Sequence, residues 1–502
     1  MASMGKDRVQ SCWQTVRPPE FPKLDCGCNA DAVIVGGGMC GLLCAYELLQ
    51  KGVRSLVILE ADRILSGTTA RTAGKITSQH GLIYAALEKG MGPRAAQQYA
   101  RANEEAVSRF AQIIREEKID CDFSSCDAYV YSCTQEGAER VKAEAEAAGR
   151  LGLGAEFATE CGELPFPVKG AVRFPRQARF HPMKFACRLA EILRDRGVKI
   201  YEHTPAVALN DNRVLTRAGC VYGKNVLLCS HYPFTNLRGF YFTRIVQSRS
   251  YLAALRGVPE ISGIYLDCEE AGLSFRSASV GGESLLLLGW GAHQTGHETD
   301  VSHYKKLKEK ARKLYPVSSV AFCWSAQDCM TDDRIPLIGR YRQFGDRVYV
   351  ATGFNKWGMT GSMAAAEILS DRITSGKSGT AEVFSPDRVN FKMGAKNFFQ
   401  TAADATASLL RGYAEVPKGS VAELKDGEGG IAAFAGDKIG AYRGTDGSLH
   451  AVRPVCTHLH CPLRWNPEEN TWDCPCHGSR FDADGNVLEG PAFLPLEKRG
   501  PD

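Results

Sequence analysis

The chain has 502 residues, of which 44% are hydrophobic and 24% are charged, a composition typical of a globular protein with a sizeable core. Its 61 Lys and Arg residues nearly balance its 57 Asp and Glu residues, which argues against nucleic-acid binding. No apolar run approaches the roughly 18–20 residues of a transmembrane helix and no signal peptide is visible, so we expect a cytoplasmic protein without membrane contact.

The first predicted elements follow a leader of residues 1–29, which contains three prolines and is expected to pack along the surface. A β-branched run at residues 32–35 predicts a strand, the next apolar pattern predicts a helix, and residues 55–59 predict a second strand. The turn between the first strand and the helix reads G-x-G-x-x-G. This order of elements predicts a dinucleotide-binding fold.

Each glycine of this turn has an expected task. Gly36 allows a tight turn, Gly38 lets a pyrophosphate approach the backbone, and Gly41 lets the helix pack closely on the strand. Glu60 ends the second strand and can accept hydrogen bonds from ribose hydroxyl groups. The turn by itself does not distinguish FAD from NAD.

The middle of the chain alternates between two kinds of pattern. Apolar spacing near 3.6 predicts helices at residues 94–117 and 136–149, whereas residues 235–288 have the short apolar intervals of strands. We therefore predict a dinucleotide-binding domain over residues 30–385, with a β-rich cap inserted into it. A helical linker over residues 386–415 then leads to a β-rich module at 416–502, because that module has many glycine-containing turns and no long helical pattern.

Two Cys-plus-His pairs lie in this last module, as C-x-H at Cys456 and His458 and as C-x-x-H at Cys474 and His477. A Rieske centre needs such a set, because two thiolates hold one iron of a 2Fe–2S cluster and two imidazoles hold the other. Zinc accepts the same ligand types, but C-x-H is poor zinc-finger spacing. We therefore predict a Rieske 2Fe–2S cluster, with a structural zinc site as the alternative.

Five segments of the first 385 residues resemble the D-amino-acid oxidase superfamily of flavoproteins, which includes glycine and sarcosine oxidases. These segments are SGTTARTAGKITSQHG (66–81), residues 178–209, VLLCSHYPF (226–234), LLLLGWGAHQTG (285–296) and residues 332–373. The C-terminal motif CTHLHC…CPCHGSRFD likewise resembles Rieske proteins. The resemblance implies an α/β FAD-binding domain of Rossmann type with an inserted β-rich substrate cap, plus a fused C-terminal all-β Rieske domain.

The fingerprint and the resemblance together imply a set of FAD-binding residues. The set consists of Gly36, Gly37, Gly38, Met39, Gly41, Glu60, Ala61, Thr68, Thr69, Val207, Gly339, Gly353, Trp357, Gly358, Met359 and Thr360. Several members of the superfamily attach FAD to a cysteine, but Ala326 takes that position here and Cys329 is offset from it. The FAD is therefore expected to be non-covalent.

The resemblance also implies details of the cluster module. Rieske proteins of cytochrome bc complexes carry a disulfide between the two ligand loops, and Cys461 and Cys476 stand in the corresponding places. High-potential members supply two hydroxyl groups near the cluster; Ser479 retains the first, and Phe481 replaces the tyrosine that gives the second. We predict an intermediate reduction potential within the range of Rieske centres.

Three residues are candidates for catalysis. His293 lies where sarcosine-type oxidases place an imidazole near the substrate, although a histidine bonded to backbone at a strand end is an equal alternative. Arg71 and Lys75 belong to the loop that passes over the flavin in this family, where they could bind a substrate carboxylate or polarise the flavin. A solvated or pyrophosphate-facing role is the alternative for both.

We predict an FAD-dependent oxidoreductase that oxidises an amine or amino-acid-like substrate and relays electrons through the cluster to or from an external partner. A Rieske oxygenase is excluded for this chain because no histidine follows His477 to build a mononuclear iron site. A reductase fed by NAD(P)H would need a second dinucleotide fingerprint, and the glycines of residues 289–296 do not open a helix. A non-enzymatic redox sensor is the third alternative; the oligomeric state is not predicted.

Overall fold

The structure is a computed structural model that describes residues 8–235, 238–269, 272–297, 299–388, 417 and 419–499. The predicted linker of residues 386–415 falls almost entirely outside the described residues. The helices are α1 (Met39–Gln50), α2 (Tyr84–Met91), α3 (Pro93–Glu116), α4 (Gln135–Arg150), α5 (Pro182–Asp195), α6 (His303–Leu314) and α7 (Gly358–Thr374). Among these described helices, none combines the length and the apolar character needed to span a bilayer.

The strands are distributed over the whole described chain. In the first half they are β1 (Arg8–Val9), β2 (Cys28–Val35), β3 (Leu56–Leu59), β4 (Lys75–Ile76), β5 (Ser124–Ser132), β6 (Glu156–Ala158), β7 (Gly170–Arg179), β8 (Lys199–Tyr201), β9 (Ala206–Asn210), β10 (Arg213–Thr216), β11 (Gly219–Leu228) and β12 (Ile245–Arg256). In the second half they are β13 (Ile264–Asp267), β14 (Ser274–Val280), β15 (Glu283–Gln294), β16 (Ser319–Thr331), β17 (Leu337–Arg340), β18 (Val348–Thr352), β19 (Gly429–Phe434), β20 (Asp437–Arg443), β21 (Leu449–Val452), β22 (Arg464–Asn466), β23 (Thr471–Asp473), β24 (Arg480–Phe481) and β25 (Val487–Glu489).

The dinucleotide-binding domain is built on a sheet with strand order β17-β18-β11-β2-β3-β8. The pairs from β18 to β8 are parallel, and β17 joins as an antiparallel edge. Helix α1 is buried along almost its whole length, because the sheet lies on one side of it and α7 packs against it. A strand or helix covered on both faces needs a nearly continuous apolar sequence, as β2 and α1 have.

The cap is a larger sheet than the sequence predicted. Its order is β1-β16-β12-β15-β14-β13-β5-β7-β4, with β6 paired to β7. The strands β12 to β15 come from the predicted cap region, but β5 and β7 come from a stretch where only helices were predicted. Strand β5 pairs with both β13 and β7, and these are long-range contacts that local periodicity cannot show.

Residues 14–29 of the leader are mostly exposed or half-buried, as expected of a segment that packs along the surface, but the stretch before them is anchored in the fold. Strand β1 pairs with β16, and Cys12 and Trp13 are fully buried. The indole Nε1 of Trp13 donates a hydrogen bond of 2.6 Å to the carbonyl oxygen of Thr72. Apolar burial thus fixes the leader to the cap and to the loop of residues 66–81.

The C-terminal module contains two small antiparallel sheets, β19-β20-β21 and β22-β23-β24-β25. Its core includes Trp465, Trp472 and Phe481 together with Cys456 and Cys474. The predicted fold class is confirmed: an α/β dinucleotide domain with an inserted β-rich cap is followed by an all-β module.

Candidate active site

A cavity of about 1550 Å³ runs from the dinucleotide turn to the face of the cap sheet. At one end it is lined by Gly36, Gly38 and Glu60, and at the other by Lys75 and His293. Pockets for one small molecule usually measure about 300–1,000 Å³. The cavity is therefore large enough for a dinucleotide and a second, smaller molecule.

The glycines of the fingerprint behave as the sequence predicted. Gly36 has a φ of +113°, and a Cβ there would lie 2.6 Å from the carbonyl oxygen of Cys229. A Cβ at Gly41 would collide with the carbonyl oxygen of Gly36, so only glycine lets α1 approach. At Gly38 the nearest atom would be the hydroxyl of Thr69 at 3.4 Å, so the missing side chain leaves open cavity at the N-terminus of α1. An anionic pyrophosphate fits this place.

Glu60 and Thr69 hold the turn in this form. The carboxylate of Glu60 accepts a hydrogen bond of 2.7 Å from the backbone N–H of Gly37, and the Thr69 hydroxyl accepts one of 3.1 Å from that of Met39. Burial raises the pKa of Glu60, while its backbone hydrogen bonds oppose that rise. Glu60 also lines the cavity, where a ribose hydroxyl could donate to its other oxygen.

The four predicted cluster ligands lie on two neighbouring loops of the C-terminal module, between β21 and β22 and between β23 and β24. The thiols of Cys456 and Cys474 are buried and hydrogen-bond each other, and the ring centroids of His458 and His477 are 5.2 Å apart. The Nδ1 atom of His477 is buried and has no hydrogen-bond partner among the described residues. Two thiols and two imidazoles meeting at one place, with such a nitrogen available to a metal, fit a Rieske cluster.

The histidine pair faces the dinucleotide domain. Phe242, in a short 3-10 helix at Tyr241–Thr243, lies edge-on to His458 at 6.3 Å and to His477 at 5.8 Å between ring centroids. His460 is exposed, with a φ of +57°, as expected of a loop residue in a position usually held by glycine.

Comparison with known proteins gives the same division of the chain. The model of the FAD-dependent oxidoreductase family (DAO) matches residues 31–372, and that of the Rieske [2Fe-2S] domain matches residues 414–498. The chain belongs to the FAD-dependent oxidoreductase family. A Bacillus subtilis (strain 168) protein, named as a putative Rieske 2Fe-2S iron-sulfur protein, YhfW, is 36% identical over 98% of this chain and 98% of its own.

Other similarities cover the two parts of this oxidoreductase separately. The cytochrome b6-f complex iron-sulfur subunit of Chlorobaculum thiosulfatiphilum is 36% identical over 18% of this chain and 50% of its own length. L-proline dehydrogenase from P. horikoshii has a TM-score of 0.60 at 17% identity, over 73% of this chain and 98% of its own. Glycine oxidase from Geobacillus kaustophilus has a TM-score of 0.60 at 18% identity, over 72% and 99%. The oxidoreductase therefore carries two cofactors, FAD and a Rieske 2Fe–2S cluster.

Most of the predicted FAD-binding residues line the cavity. Those that do are Gly36, Gly38, Met39, Glu60, Ala61, Thr68, Thr69, Trp357, Gly358 and Met359. Others support the lining: Gly37 donates to Glu60, Gly41 permits helix packing, and Thr360 donates to the backbone of Thr77. Gly353 has a φ of +70° and packs on Thr331.

Two predicted FAD contacts, Val207 and Gly339, are not part of the cavity lining. The side chain of Val207 is 40% exposed and lies outside the cavity wall, which is formed here by Pro205 and Ala206. Successive side chains of a strand point to opposite faces, so a shift of one residue changes which of them faces the cavity. Gly339 packs against Pro386, also outside the cavity.

The structure also does not contain the predicted disulfide. No disulfide joins Cys461 and Cys476, although their sulfur atoms and that of Cys474 all lie within 4.8 Å of one another. A disulfide needs a sulfur–sulfur distance of about 2.05 Å, so a covalent bond would require oxidation and a further approach of the two loops.

Lys75 lies in β4 and lines the cavity. Burial, together with the nearby positive charge of Arg276, lowers the pKa of Lys75 to about 7. Near pH 7 the Lys75 amine is therefore neutral in about half of the molecules, and in that form it can accept a proton, whereas an ordinary lysine is fully charged at this pH.

Arg71 forms an ion pair with the C-terminal module. Its guanidinium lies 3.2 Å from the carboxylate of Glu489, at the end of β25. The carbonyl oxygen of Arg71 accepts a hydrogen bond of 2.8 Å from the indole of Trp324. Arg71 therefore links the loop of residues 66–81 to the Rieske domain, a role that the sequence did not predict.

His293 belongs to a stack of rings on the cap sheet. Its ring lies 4.2 Å from that of His303, which in turn lies 4.6 Å from Tyr251. The Nδ1 atom of His293 is 3.1 Å from the carbonyl oxygen of Gly291, and the side chain also lines the cavity. The contact with the Gly291 carbonyl agrees with the alternative of a histidine bonded to backbone at a strand end. Because His293 also lines the cavity, its catalytic role stays a prediction.

Many polar residues that line the cavity were not among the predicted site residues, and His80, Asp328 and Glu489 are three of them. His80 stacks on Trp357 at 4.7 Å, and burial lowers its pKa to about 3, so it stays neutral. Burial raises the pKa of Asp328. The sequence offered a signal for His80 and Asp328, since both lie in or beside segments that resemble flavoproteins. It offered none for Glu489.

Proposed function

We propose that this oxidoreductase oxidises an amine or amino-acid-like substrate by hydride transfer to FAD, and that electrons pass one at a time through the Rieske cluster to or from an external partner. The observation that carries the proposal is that the cluster loop and the flavin loop contact the same residue, Gln327. Its side-chain amide donates a hydrogen bond of 2.8 Å to the carbonyl oxygen of Gly478, next to His477. Its own carbonyl oxygen accepts one of 3.4 Å from Thr68.

When bound, FAD supplies a hydride acceptor and the cluster a one-electron carrier. The residues of the chain hold the reactants and control charge. The N-terminus of α7 reaches the cavity at Gly358 and Met359, where a helix dipole favours negative charge. A substrate ammonium group must lose a proton before it can give a hydride, and Lys75 is the cavity residue whose lowered pKa suits it to accept that proton.

An amine-type substrate is supported by the structural neighbours. These neighbours include an L-proline dehydrogenase, an L-amino acid deaminase and a glycine oxidase. The reductase alternative has less support, because the glycines of residues 289–296 lie in β15 and the turn after it, and the helix that follows begins only at His303. The cytoplasmic location stays a prediction.

Anaerobic mixing tests the substrate class. We expect amines or amino acids to bleach the flavin absorbance and then to produce the EPR signal of the reduced cluster. Bleaching by hydroxy acids or thiols instead would contradict the amine assignment, and bleaching by NADPH alone would favour a reductase. Reduction by no compound of any class would favour the redox sensor.

Two lysine variants test the role of Lys75, one in the cavity and one on the surface as a control. Lys75→Met should slow flavin reduction strongly while leaving FAD content unchanged, because it removes the proton acceptor but not a predicted FAD contact. Lys89→Met changes an exposed lysine on α2 and should have no effect. Equal rates in both variants would remove Lys75 from the mechanism.

A further inference from the structure

The Rieske domain lines the flavin cavity. Residues 487–490, 492 and 493, which comprise β25 and the segment after it, form part of the cavity wall. Two of the side chains are large and apolar: Leu488 is 49% exposed and Phe493 is 54% exposed. Both side chains belong to the cavity lining, so they are available to contact a molecule bound in the cavity.

Buried charges fix this domain in place. Arg249, on the cap strand β12, is 1% exposed and lies 2.5 Å from Glu469 and 3.1 Å from Glu489, both of the Rieske domain. The same two carboxylates also pair with Arg480, at 2.7 Å and 3.2 Å. Separation of the domains would leave Arg249 without a carboxylate partner, which is strongly unfavourable for a buried cation.

Hydrogen bonds near these ion pairs also join the cap to the Rieske domain. Gln247 donates a hydrogen bond of 2.8 Å to the carbonyl oxygen of Gly490. The carboxylate of Glu468 accepts hydrogen bonds of 2.9 Å from the backbone N–H groups of His303 and Tyr304, and so caps the N-terminus of α6 from the other domain. These hydrogen bonds pair polar groups of the cap with polar groups of the Rieske domain, so the two domains form a specific interface.

In the segment of residues 487–493, the charged side chain already has partners within the protein. Glu489 is held by Arg71, Arg249 and Arg480, and Gly490 accepts from the cap. The side chains that remain for a ligand are apolar, namely those of Val487, Leu488, Ala492 and Phe493.

We propose that the Rieske domain is a fixed wall of the substrate site in its own chain, and that Leu488 and Phe493 select substrates with a bulky apolar group. This inference rests on the proposed function for its choice of substrate class. It gives the C-terminal domain a second task besides carrying electrons, since the site is incomplete without its segment 487–493.

Binding of unreactive carboxylates to the FAD-loaded protein tests the wall. Acetate, butyrate and phenylacetate are titrated while the flavin absorbance is followed, because Arg334 in the cavity can pair with a carboxylate. The native protein should bind phenylacetate more tightly than acetate. Leu488→Ala and Phe493→Ala should reduce that preference roughly tenfold, the loss expected for a missing apolar contact, with acetate affinity unchanged.

Two further variants control for indirect effects. Leu488→Trp should narrow the site and reject phenylacetate while retaining acetate. Leu215→Ala removes a similarly exposed leucine on β10, outside the cavity, and should leave all three affinities unchanged. FAD content and the cluster EPR spectrum verify that each variant is intact.

The results separate this inference from the proposed function. If amines reduce the flavin but the phenylacetate-to-acetate ratio is the same in all variants, the wall inference is wrong. If no amine reduces the flavin and the ratio still falls in Leu488→Ala and Phe493→Ala, the wall stands and the substrate class is wrong. If the native protein binds phenylacetate no more tightly than acetate, the wall inference is also wrong.

Discussion

The hydroxyl of Ser479 is placed to tune the cluster, and Ser479→Ala should lower its reduction potential. Ser479 is fully buried, and its oxygen accepts a hydrogen bond of 3.0 Å from the backbone N–H of Ala492. Its own proton is thereby directed to the sulfur of Cys456, with which the hydroxyl forms a hydrogen bond. A donor to a ligand sulfur stabilises the reduced cluster more than the oxidised one, because reduction adds negative charge.

The size of the effect follows from the strength of this one bond. A hydrogen bond to a charged group contributes about 1.5–3 kcal/mol, and the oxidised state retains part of it. A difference of about 1.4 kcal/mol between the two states corresponds to about 59 mV for a one-electron couple. We therefore expect the midpoint of Ser479→Ala to lie about 60 mV below that of the native protein.

Redox titration followed by EPR measures the midpoint directly. Ser479→Thr is the matched control, because it retains the hydroxyl and should shift the midpoint much less than Ser479→Ala does. An unchanged midpoint in Ser479→Ala, with an intact cluster signal, would show that this hydroxyl does not act on the cluster sulfur and would refute the reasoning.

Three other predictions concern single residues, and a fourth concerns the FAD. Phe481→Tyr should raise the midpoint if the added phenol reaches the cluster, and the same titration checks it; a midpoint at or below the native value would contradict this. The rate constant for flavin reduction should rise with pH through about 7, the pKa of Lys75, and Lys75→Met should abolish that rise in a stopped-flow pH profile. The Arg249 and Arg480 charges lower the pKa of Glu469 from 4.5 to about 2, so its ionised form adds stability above pH 4.5 that is lost as the pH falls towards 2. That contribution is about 3 kcal/mol, and urea unfolding should show Glu469→Gln losing most stability at neutral pH and little near pH 2. Acid precipitation should release all of the yellow colour from the protein, whereas colour retained in the pellet would indicate a covalent flavin.

The sequence by itself determined the parts of this protein that depend on residues close together in the chain. The G-x-G-x-x-G turn lies between a strand and a helix, and its glycines are required by contacts within a few residues or with the adjoining strand. The cluster ligands Cys456, His458, Cys474 and His477 were identified in the same way, because two short loops supply all four. The resemblance of five further segments implied the family, and the comparisons confirmed it.

Tertiary structure alone decided what the distant parts of the chain do to one another. Cys12 and Trp13 of the leader are buried next to β1, which pairs with β16, and the cap gains β5 and β7 through pairings that no local pattern encodes. Arg71 meets Glu489 across 418 positions of sequence, so a candidate substrate-binding residue that lines the cavity also links two domains. The place of the Rieske domain beside the flavin cavity also depends on long-range contacts. A buried charge such as that of Arg249 needs a carboxylate partner, and the order of residues in the chain does not show which carboxylate the fold will bring to it.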